Sequence, residues 1–289
     1  MNDFIIVADS GCDLSYEYCK ANGIEPIRIK YSIDDKTLED SMNFDDQVEF
    51  YNQMRNGAKP VTSQINSTEF IDFWTPFVKQ GKRILNITLG SAISGTYNNA
   101  LIAREILLQE YPDAQIFVVD SRGASMSIAI LVDKAVEMRA SGATPLEIVK
   151  WIEETRHNIH AIYTTDDLTY LNRSGRLSKG SMIVANVLGI RPILKLDYDG
   201  HLVAMEKVRG KSAIINRISE VINELSIAPE TQNIYIAHTD ALDFAKEAEE
   251  AIFKKTNFKG TRYSQIGATI GAHAGPGLIA IFFIGKERV

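Results

Sequence analysis

Short apolar runs alternate with helical segments through the first half of this sequence, and this alternation limits the folds open to it. Residues 4–8, 84–89 and 115–121 are apolar, rich in β-branched side chains and bounded by polar residues, as buried strands are. Residues 97–108 and 124–141 have the apolar spacing of helices. Strands that alternate with helices predict an α/β fold built on a largely parallel sheet. Further elements predicted in this half are a strand over 27–33 and helices over 16–21, 44–56, 67–77 and 144–156.

The second half has a different pattern, one typical of antiparallel strands. Asp199-Gly200 stands between two strand-like runs, residues 192–196 and 202–208, and an Asp-Gly pair at such a position is a hairpin signal. This part of the chain therefore predicts an α+β arrangement. Its other predicted elements are a helix that starts within residues 166–171, strands over 233–238 and 278–284, and helices over 212–225 and 242–255.

The length of the chain and the change of pattern predict two domains. The sequence has 289 residues, which is long enough for more than one hydrophobic core. We place an α/β, Rossmann-like domain with a parallel sheet at residues 1–157. An α+β domain with antiparallel strands follows at residues 158–289.

Composition and charge exclude several classes of partner and site. The formal net charge of −6 argues against a nucleic-acid partner, because electrostatic binding of nucleic acid needs a basic surplus. No apolar run approaches the length that spans a bilayer, and residues 4–8 are too short for the core of a signal peptide. Cys12 and Cys19 suggest neither a disulfide framework nor a zinc site, and His157 with His160 lacks further ligands at metal-like spacing. We therefore expect a cytoplasmic protein with no metal, no cofactor and no stable membrane insertion, in which membrane contact is at most transient.

The strand at 84–89 and the helix at 97–108 flank a loop, residues 90–96, that is rich in glycine and hydroxyl groups. Open α/β sheets bind ligands at this position, and the free N–H groups at a helix start favour an anion. A catalytic serine on a sharp turn would need the pattern Gly-x-Ser-x-Gly, which neither Ser91 nor Ser94 has. The loop therefore predicts a binding site for an acidic group, without a recognised nucleophile.

Two glycine motifs imitate nucleotide-binding loops, but their spacing fails. Residues 210–212 resemble the end of a phosphate-binding loop, yet Met205 stands where the earlier glycine belongs, so we expect a turn before a helix. In residues 271–277, His273 replaces the second glycine of a dinucleotide-binding motif, and a strand-like segment follows the motif instead of preceding it. His273 is open to two interpretations, a tight-turn residue or a ligand, because the glycines around it let the backbone approach a ligand closely.

A basic segment and several hydroxyl-rich turns are the remaining candidates. Residues 173–179 carry two arginines and a lysine in an otherwise acidic protein. They form either a solvated loop or a surface for docking or anion binding. Hydroxyl groups recur at 62–63, 91–96 and 121–125. Each is by itself typical of a helix cap, and together they would suit one carboxylate held by neutral donors.

Taken in order along the chain, a set of short motifs resembles the DegV family of bacterial fatty-acid-binding proteins. The motifs cover nearly the whole chain, and although each is short, the ordered set is highly specific. The matching motifs are Asp9-Ser10-Gly11-Cys12-Asp13-Leu14, Thr62-Ser63-Gln64, Ser91-Ala92-Ile93-Ser94-Gly95-Thr96-Tyr97, Val119-Asp120-Ser121, Ala124-Ser125-Met126, Leu171-Asn172-Arg173-Ser174-Gly175-Arg176-Leu177-Ser178, Leu188-Gly189-Ile190-Arg191-Pro192-Ile193-Leu194, Val208-Arg209-Gly210-Lys211, Ile270-Gly271-Ala272-His273 and Gly275-Pro276-Gly277.

The resemblance implies two α/β domains and a buried long-chain fatty acid whose carboxylate is held by Thr62, Ser94 and His273. It also implies a lipid-binding carrier and not an enzyme, with no catalytic residue of its own. Such a carrier presents the fatty acid to a separate ATP-dependent fatty acid kinase, which makes an acyl phosphate for phospholipid synthesis. Arg173 and Arg176 match the basic segment of the family and are expected to dock the kinase. Further candidates on the ligand loops are Ser63, Ser91, Gly95, Thr96 and Gly275.

The sequence departs from the family pattern at three places. Ile65-Asn66 stands where a Pro-Ser pair is common, Gly90 replaces a frequent serine, and Ala274 replaces a frequent threonine. The last two changes remove hydroxyl groups near the expected carboxylate. Two other functions stay open at this point. One is an enzyme, either an acyl hydrolase or a small-molecule kinase, that uses the Ser94 loop; the other is a regulatory interaction protein that uses the bound lipid as a signal.

Overall fold

The computed structural model describes residues 4–165, 167–178 and 190–289. Its contacts divide the chain into two compact units. The first comprises Met1–Asn43 and Val61–Arg156, and the second comprises Phe44–Pro60 and His157–Val289. Lys179 of the basic segment and Leu188-Gly189 of one family motif lie outside the described residues.

The secondary structure of the described residues follows the predicted elements closely. The strands in chain order are β1 Phe4–Asp9, β2 Ile24–Ile27, β3 Lys30–Ile33, β4 Lys36–Glu39, β5 Val61–Thr62, β6 Arg83–Thr88, β7 Ile116–Asp120, β8 Ile159–Thr164, β9 Ile190–Leu196, β10 Leu202–Arg209, β11 Asn233–His238, β12 Gly260–Gln265 and β13 Ile279–Ile284. The helices are α1 Tyr16–Ala21, α2 Phe44–Arg55, α3 Ser67–Lys79, α4 Thr96–Glu110, α5 Met126–Ala140, α6 Pro145–Thr155, α7 Thr169–Ser174, α8 Lys211–Leu225, α9 Leu242–Phe253 and α10 Ala268–Ala274.

The first unit is built on a four-stranded sheet in which every neighbouring pair is parallel. The strand order is β2-β1-β6-β7, and Asn86 of β6 pairs with Val7 of β1 on one side and with Val118 of β7 on the other. β1 is buried along its whole length, as the continuous apolar run predicts. The predicted parallel sheet is confirmed, and the carboxyl ends of β1, β6 and β7 share one edge of it.

One predicted strand, residues 27–33, is instead two short strands in different sheets. β2 ends at Ile27 in the parallel sheet, and β3 begins at Lys30 in a three-stranded antiparallel sheet of order β4-β3-β5. Between them, the amide of Ile29 donates to the Ser10 hydroxyl at 3.0 Å. This side chain takes an amide that strand pairing would otherwise use, and the chain leaves the parallel sheet there. The prediction of one continuous strand is therefore wrong.

The second unit is built on a six-stranded sheet of order β10-β9-β8-β13-β11-β12. The predicted hairpin is confirmed, since Leu196 of β9 pairs with Leu202 of β10 across the turn that contains Asp199 and Gly200. β11 and β12 run parallel, and the other neighbouring pairs are antiparallel. The predicted α+β character, with mainly antiparallel strands, is confirmed.

Helices α8 and α9 pack aliphatic side chains against this sheet. Ile214 and Ile218 of α8 and Ile252 of α9 share one buried cluster with Ile281 and Phe283 of β13. None of these five side chains has solvent exposure. β13 lies between β8 and β11, so this cluster forms over the middle of the sheet.

Helix α2 belongs to the second unit, although the sequence predicts a single domain over residues 1–157. The Tyr51 hydroxyl of α2 donates to the carbonyl of Ile266 at 2.7 Å. Gly271 of α10 lies so close to the Tyr51 ring that a Cβ at this glycine would overlap it. These contacts group residues 44–60 with the second unit, so the first unit is not the continuous segment that the sequence predicts.

The predicted elements do not include β4, β5, β8, β12 or α10, and the last two show the reason most clearly. β12 is an edge strand whose residues, Gly260–Gln265, are mostly polar and half-buried, so it lacks the alternation of a half-buried strand. α10 has seven residues and contains Gly271, a poor helix former. Both elements therefore depend on tertiary contacts more than on local preference.

We expect Ile281→Ala to lower the free energy of unfolding by about 2–5 kcal/mol, because it leaves a cavity in the central cluster of the second unit. Ile227→Ala is the control, since Ile227 is 51% exposed, and it should change this free energy by less than about 0.5 kcal/mol. Urea unfolding followed by circular dichroism measures both. Equal effects of the two variants would contradict this view of the core.

Candidate functional site

Three loops of the first unit start at the shared edge of the parallel sheet. They follow Asp9 at the end of β1, Thr88 at the end of β6 and Asp120 at the end of β7. Open α/β sheets bind ligands outside the carboxyl ends of their strands. The structure therefore brings two of the three hydroxyl-rich segments singled out from the sequence, 91–96 and 121–125, to neighbouring strand ends.

The loop after β6 comprises residues 89–96, and we name it the Ser94 loop. The backbone amides of its first three residues all donate hydrogen bonds to the neighbouring strand ends and loops. The amide of Leu89 donates to Asp9 Oδ2 at 2.6 Å, that of Gly90 donates to the Gly123 carbonyl at 2.8 Å, and that of Ser91 donates to Asp120 Oδ1 at 3.0 Å. The loop is therefore fixed to both neighbouring loops where it leaves the sheet.

Glycine at position 90 is required by the close approach of two backbones. A Cβ there would lie 2.8 Å from the amide nitrogen and 2.9 Å from the carbonyl oxygen of Gly123, closer than real Cβ contacts come. A serine at this position, which the resemblance leads us to expect, would therefore need a backbone shift to fit this arrangement.

Ser91 acts within the protein as a structural residue of the loop. Its hydroxyl donates to Asp120 Oδ2 at 2.6 Å, and the same carboxylate accepts the amide of Arg122 at 3.0 Å and pairs with the Arg122 guanidinium at 3.0 Å. Asp9 and Asp120, which hold these loops, stand in two of the family motifs, but the sequence patterns assign them no role. Their signal in the sequence is an acidic residue at the last position of a buried strand.

Ser94 lies half-buried at the amino end of α4. Its amide donates to the Gly90 carbonyl at 3.2 Å, its hydroxyl accepts the amide of Thr96 at 3.2 Å, and the Ser94 and Thr96 hydroxyls are 2.9 Å apart. Gly95, the residue before the helix, offers no side-chain cap. The arrangement places a hydroxyl group among the amides of a helix start, which suits an anionic or acidic ligand.

The segment that follows β5 is packed against the same helix start. Thr62 of β5 is half-buried and pairs with Tyr31 of β3. Gln64 lies against Gly95, where a Cβ would overlap its side-chain amide, and Asn99 of α4 donates to the Ile65 carbonyl at 2.8 Å. The structure thus brings the predicted ligand segment 62–64 into contact with the Ser94 loop.

Ser63, a further candidate on that segment, is exposed and already bonded to the backbone. Its amide donates to the Lys30 carbonyl at 2.9 Å and its hydroxyl to the same oxygen at 3.3 Å. Thr96 is fully buried at the start of α4. The backbone bonds of Ser63 and the burial of Thr96 show that both residues support the conformation of their loops.

His273 lies in the second unit, in the last turn of α10. Gly275 lies two residues further along the chain and has a φ of +72°, which is unfavourable for other residues. It packs against the Tyr170 ring of α7. Burial, together with the positive charges of Arg176 and Arg173, lowers the pKa of His273 to about 4. The imidazole is therefore neutral at neutral pH and offers one N–H donor and one acceptor.

Arg173 and Arg176 are exposed and close enough to His273 to act on its charge. The Arg173 guanidinium lies over the Tyr170 ring at 5.3 Å from its centroid, and Arg176 Nη1 donates to the Ser174 carbonyl at 2.6 Å. In the sequence, the basic segment and His273 are separate candidates. In the structure, the charges of Arg173 and Arg176 lie close enough to His273 to lower its pKa. Joint binding of one carboxylate by Thr62, Ser94 and His273 stays a prediction.

His157, His160 and the two cysteines pack against other side chains of the protein or lie buried within it. His157 stacks on Tyr198 at 4.1 Å, and His160 stacks on Phe283 at 5.1 Å. Cys12 and Cys19 form no disulfide, and both are buried. Within the described ranges, no group of three or more His, Cys, Asp or Glu side chains is placed to hold a metal ion. Across those same ranges, no helix combines the length and the apolar character that crossing a membrane requires.

Curated relatives match this chain from end to end. A DegV domain-containing protein of Clostridium perfringens is 36% identical over 291 residues, which cover 100% of this chain and 99% of the relative. A DegV domain-containing protein of Caldanaerobacter subterraneus is 34% identical, with 98% of this chain and 99% of the relative covered.

Solved structures share the fold. A crystal structure described as DegV, a fatty acid binding protein of Bacillus subtilis, has a TM-score of 0.83 and 26% identity, covering 99% of this chain and 100% of the other. A Thermotoga maritima protein, described as revealing a fatty acid binding function, has a TM-score of 0.84 and 26% identity with the same coverage. The family model described as an uncharacterised protein of the DegV family matches residues 3–286. The chain belongs to the DegV family.

Proposed function

We propose that this protein binds a long-chain fatty acid and that Thr62, Ser94 and His273 donate hydrogen bonds to its carboxylate. The observation on which the proposal rests is the half-buried Ser94 hydroxyl at the start of α4, with the Thr62 segment packed against the same helix start. The two relatives described as fatty acid binding proteins, each 26% identical over nearly the whole chain, support it.

The fatty acid tail would supply most of the affinity. Each buried methylene contributes roughly 0.8 kcal/mol, so a tail of about fourteen methylenes corresponds to about 11 kcal/mol of transfer free energy. A hydrogen bond between neutral groups contributes about 1 kcal/mol net, and one to a charged group about 1.5–3 kcal/mol. The hydroxyls and the imidazole would therefore mainly orient the ligand and select its head group.

We propose a carrier and not an enzyme, with phosphoryl transfer performed by a separate ATP-dependent fatty acid kinase for phospholipid synthesis. The Ser94 hydroxyl lies 2.9 Å from another hydroxyl, that of Thr96, which cannot act as a general base at neutral pH. Arg173 and Arg176 are exposed and next to His273, so they are the residues we propose for kinase docking. The enzyme hypothesis predicts turnover of a nitrophenyl ester or of ATP by the chain alone.

Extraction of the purified protein, followed by mass spectrometry, should yield close to one fatty acid per chain.

We expect Ser94→Ala to weaken binding of labelled oleate about tenfold without abolishing it, because one hydrogen bond to a charged group is lost while the tail still binds. Ser32→Ala, at an exposed serine of β3, is the control and should bind as the unaltered protein does. A lipid-free protein that also ignores added oleate would refute the proposal, and ester or ATP turnover abolished by Ser94→Ala would favour an enzyme.

The low pKa of His273 makes stability depend on pH in a defined direction. Its pKa is about 4 in the folded protein against an ordinary 6.5, so between these values the unfolded chain binds a proton that the folded chain does not. Stability should therefore fall as the pH drops through this window, by up to about 3 kcal/mol from this residue. His273→Gln should remove that share of the loss, and His201→Gln, at an exposed histidine, should not. Urea unfolding at pH 7 and 4.5 compares the three proteins; an unchanged pH dependence in His273→Gln would contradict the assignment.

A further inference from the structure

We propose that Asp9 is a positioning residue for ligand binding: its carboxylate fixes the start of the Ser94 loop and so sets the place of the Ser94 hydroxyl. The inference rests on the proposed function of Ser94 and extends it to a residue with a separate location, at the end of β1. Asp9 acts on the ligand only through the loop that it holds.

The Asp9 carboxylate joins two loops through two backbone amides. Oδ2 accepts the amide of Leu89 at 2.6 Å, and Oδ1 accepts the amide of Gly11 at 3.0 Å. The residue is 1% exposed, so water does not compete for these bonds. The amide of Ser125, the residue before α5, donates to the carbonyl of Gly11 at 2.8 Å, so the loop after β7 is tied to the same turn.

A short path of hydrogen bonds leads from Leu89 to Ser94. The residue after Leu89 is Gly90, whose carbonyl accepts the amides of Ile93 at 3.1 Å and Ser94 at 3.2 Å. Gly90 is itself held by the Gly123 carbonyl and has no room for a side chain. A displacement of Leu89 therefore moves the Gly90 carbonyl, and with it the acceptor of the Ser94 amide.

Asp9 and Asp120 both hold this loop, but an asparagine in place of each aspartate would meet different donors. Both oxygens of Asp9 accept backbone N–H groups, whose direction cannot be reversed. In asparagine one of these oxygens becomes an NH₂ group, which would face an N–H and leave it unsatisfied. At Asp120, Oδ2 accepts from the Ser91 hydroxyl, which can rotate and accept from an amide instead, but the same oxygen also pairs with the Arg122 guanidinium at 3.0 Å. Asparagine at position 9 therefore leaves a buried backbone N–H without its acceptor, whereas at position 120 it removes the charge that pairs with Arg122.

Protonation of Asp9 should mimic asparagine, because it places an O–H where an acceptor is needed. Burial raises the pKa of Asp9 to about 6, against the opposing effect of its two backbone hydrogen bonds. The Cys12 thiol and the Asp13 carboxyl are the titratable groups of the adjoining turn, and Asp120 with Arg122 flanks the loop on its other side. The pKa of His273 is about 4, so His273 keeps its charge state between pH 7.5 and about 5.5.

The test compares Asp9→Asn with Asp40→Asn, a matched control. Asp40 is also fully buried in the first unit and also accepts a backbone amide, from Met42 at 3.1 Å, but it lies outside the Ser94 loop. At pH 7.5 we expect Asp9→Asn to bind labelled oleate about tenfold more weakly, and Asp40→Asn to bind within about twofold of the unaltered protein. Affinity of the unaltered protein should fall toward that of Asp9→Asn as the pH drops to about 5.5, while the difference between the two shrinks.

Hydrogen exchange of the ligand-free protein separates this inference from the proposed function. The Leu89 and Ser94 amides should exchange faster in Asp9→Asn, and faster in the unaltered protein at pH 5.5 after correction for intrinsic rates. If oleate does not bind to the unaltered protein, the proposed function fails, and loss of protection would still establish that Asp9 fixes the loop. Affinity and protection equal to those of Asp40→Asn would overturn the inference. If Asp9→Asn does not fold, the pH series on the unaltered protein decides: an affinity that does not change from pH 7.5 to 5.5 refutes it.

Discussion

The parallel pairing of β1, β6 and β7 is the constraint on which the loops of the first unit depend. Because these strands run in the same direction in adjacent positions, the chain leaves all three at one edge. The backbone amides just beyond that edge have no further strand to pair with, and a buried amide needs an acceptor. The carboxylates of Asp9 and Asp120 supply it. The loops are therefore held by side chains that the strands themselves place at the edge.

Much of the fold could be predicted from the sequence because many elements have strong local signals. The apolar run of β1, the spacing of α4 and the Asp199-Gly200 turn each specify a structure through neighbouring residues. The failures have a different cause. The break before β3 depends on a hydrogen bond from Ile29 to Ser10, and the unit to which α2 belongs depends on Tyr51 reaching Ile266. Such contacts join residues distant in sequence, and no local pattern shows them.

The same distinction applies to the candidate site. Ser94 could be singled out because it stands between a strand pattern and a helix pattern, and the structure has it at the start of α4. The packing of Gln64 on Gly95 could not be anticipated, since a segment more than twenty residues away must meet a position that lacks a side chain. Likewise, the influence of Arg173 on His273 arises where α7 meets α10, two short helices with weak sequence signals.

On the proposed function, the head-group donors are suited to release as well as binding. Hydroxyls and a neutral imidazole hold a carboxylate without a buried ion pair, which would be strongly destabilised when one partner leaves. The tail supplies affinity without regard to direction, and the donors fix which end of the ligand is presented. A carrier needs both properties, because a ligand held by strong charges at its reactive end would be slow to transfer.

The membership of α2 in the second unit has a consequence for how this chain is made. The chain passes between the two units three times, after residues 43, 60 and 156. During synthesis α2 therefore emerges long before the strands of its own unit, and the buried face that contains Phe50, Tyr51 and Met54 must wait without its partner. All residues of the first unit have been made once residue 156 is added, whereas the second unit still lacks residues 157–289 at that point. A gene fragment cut near residue 157 would leave the buried face of that helix exposed on its product.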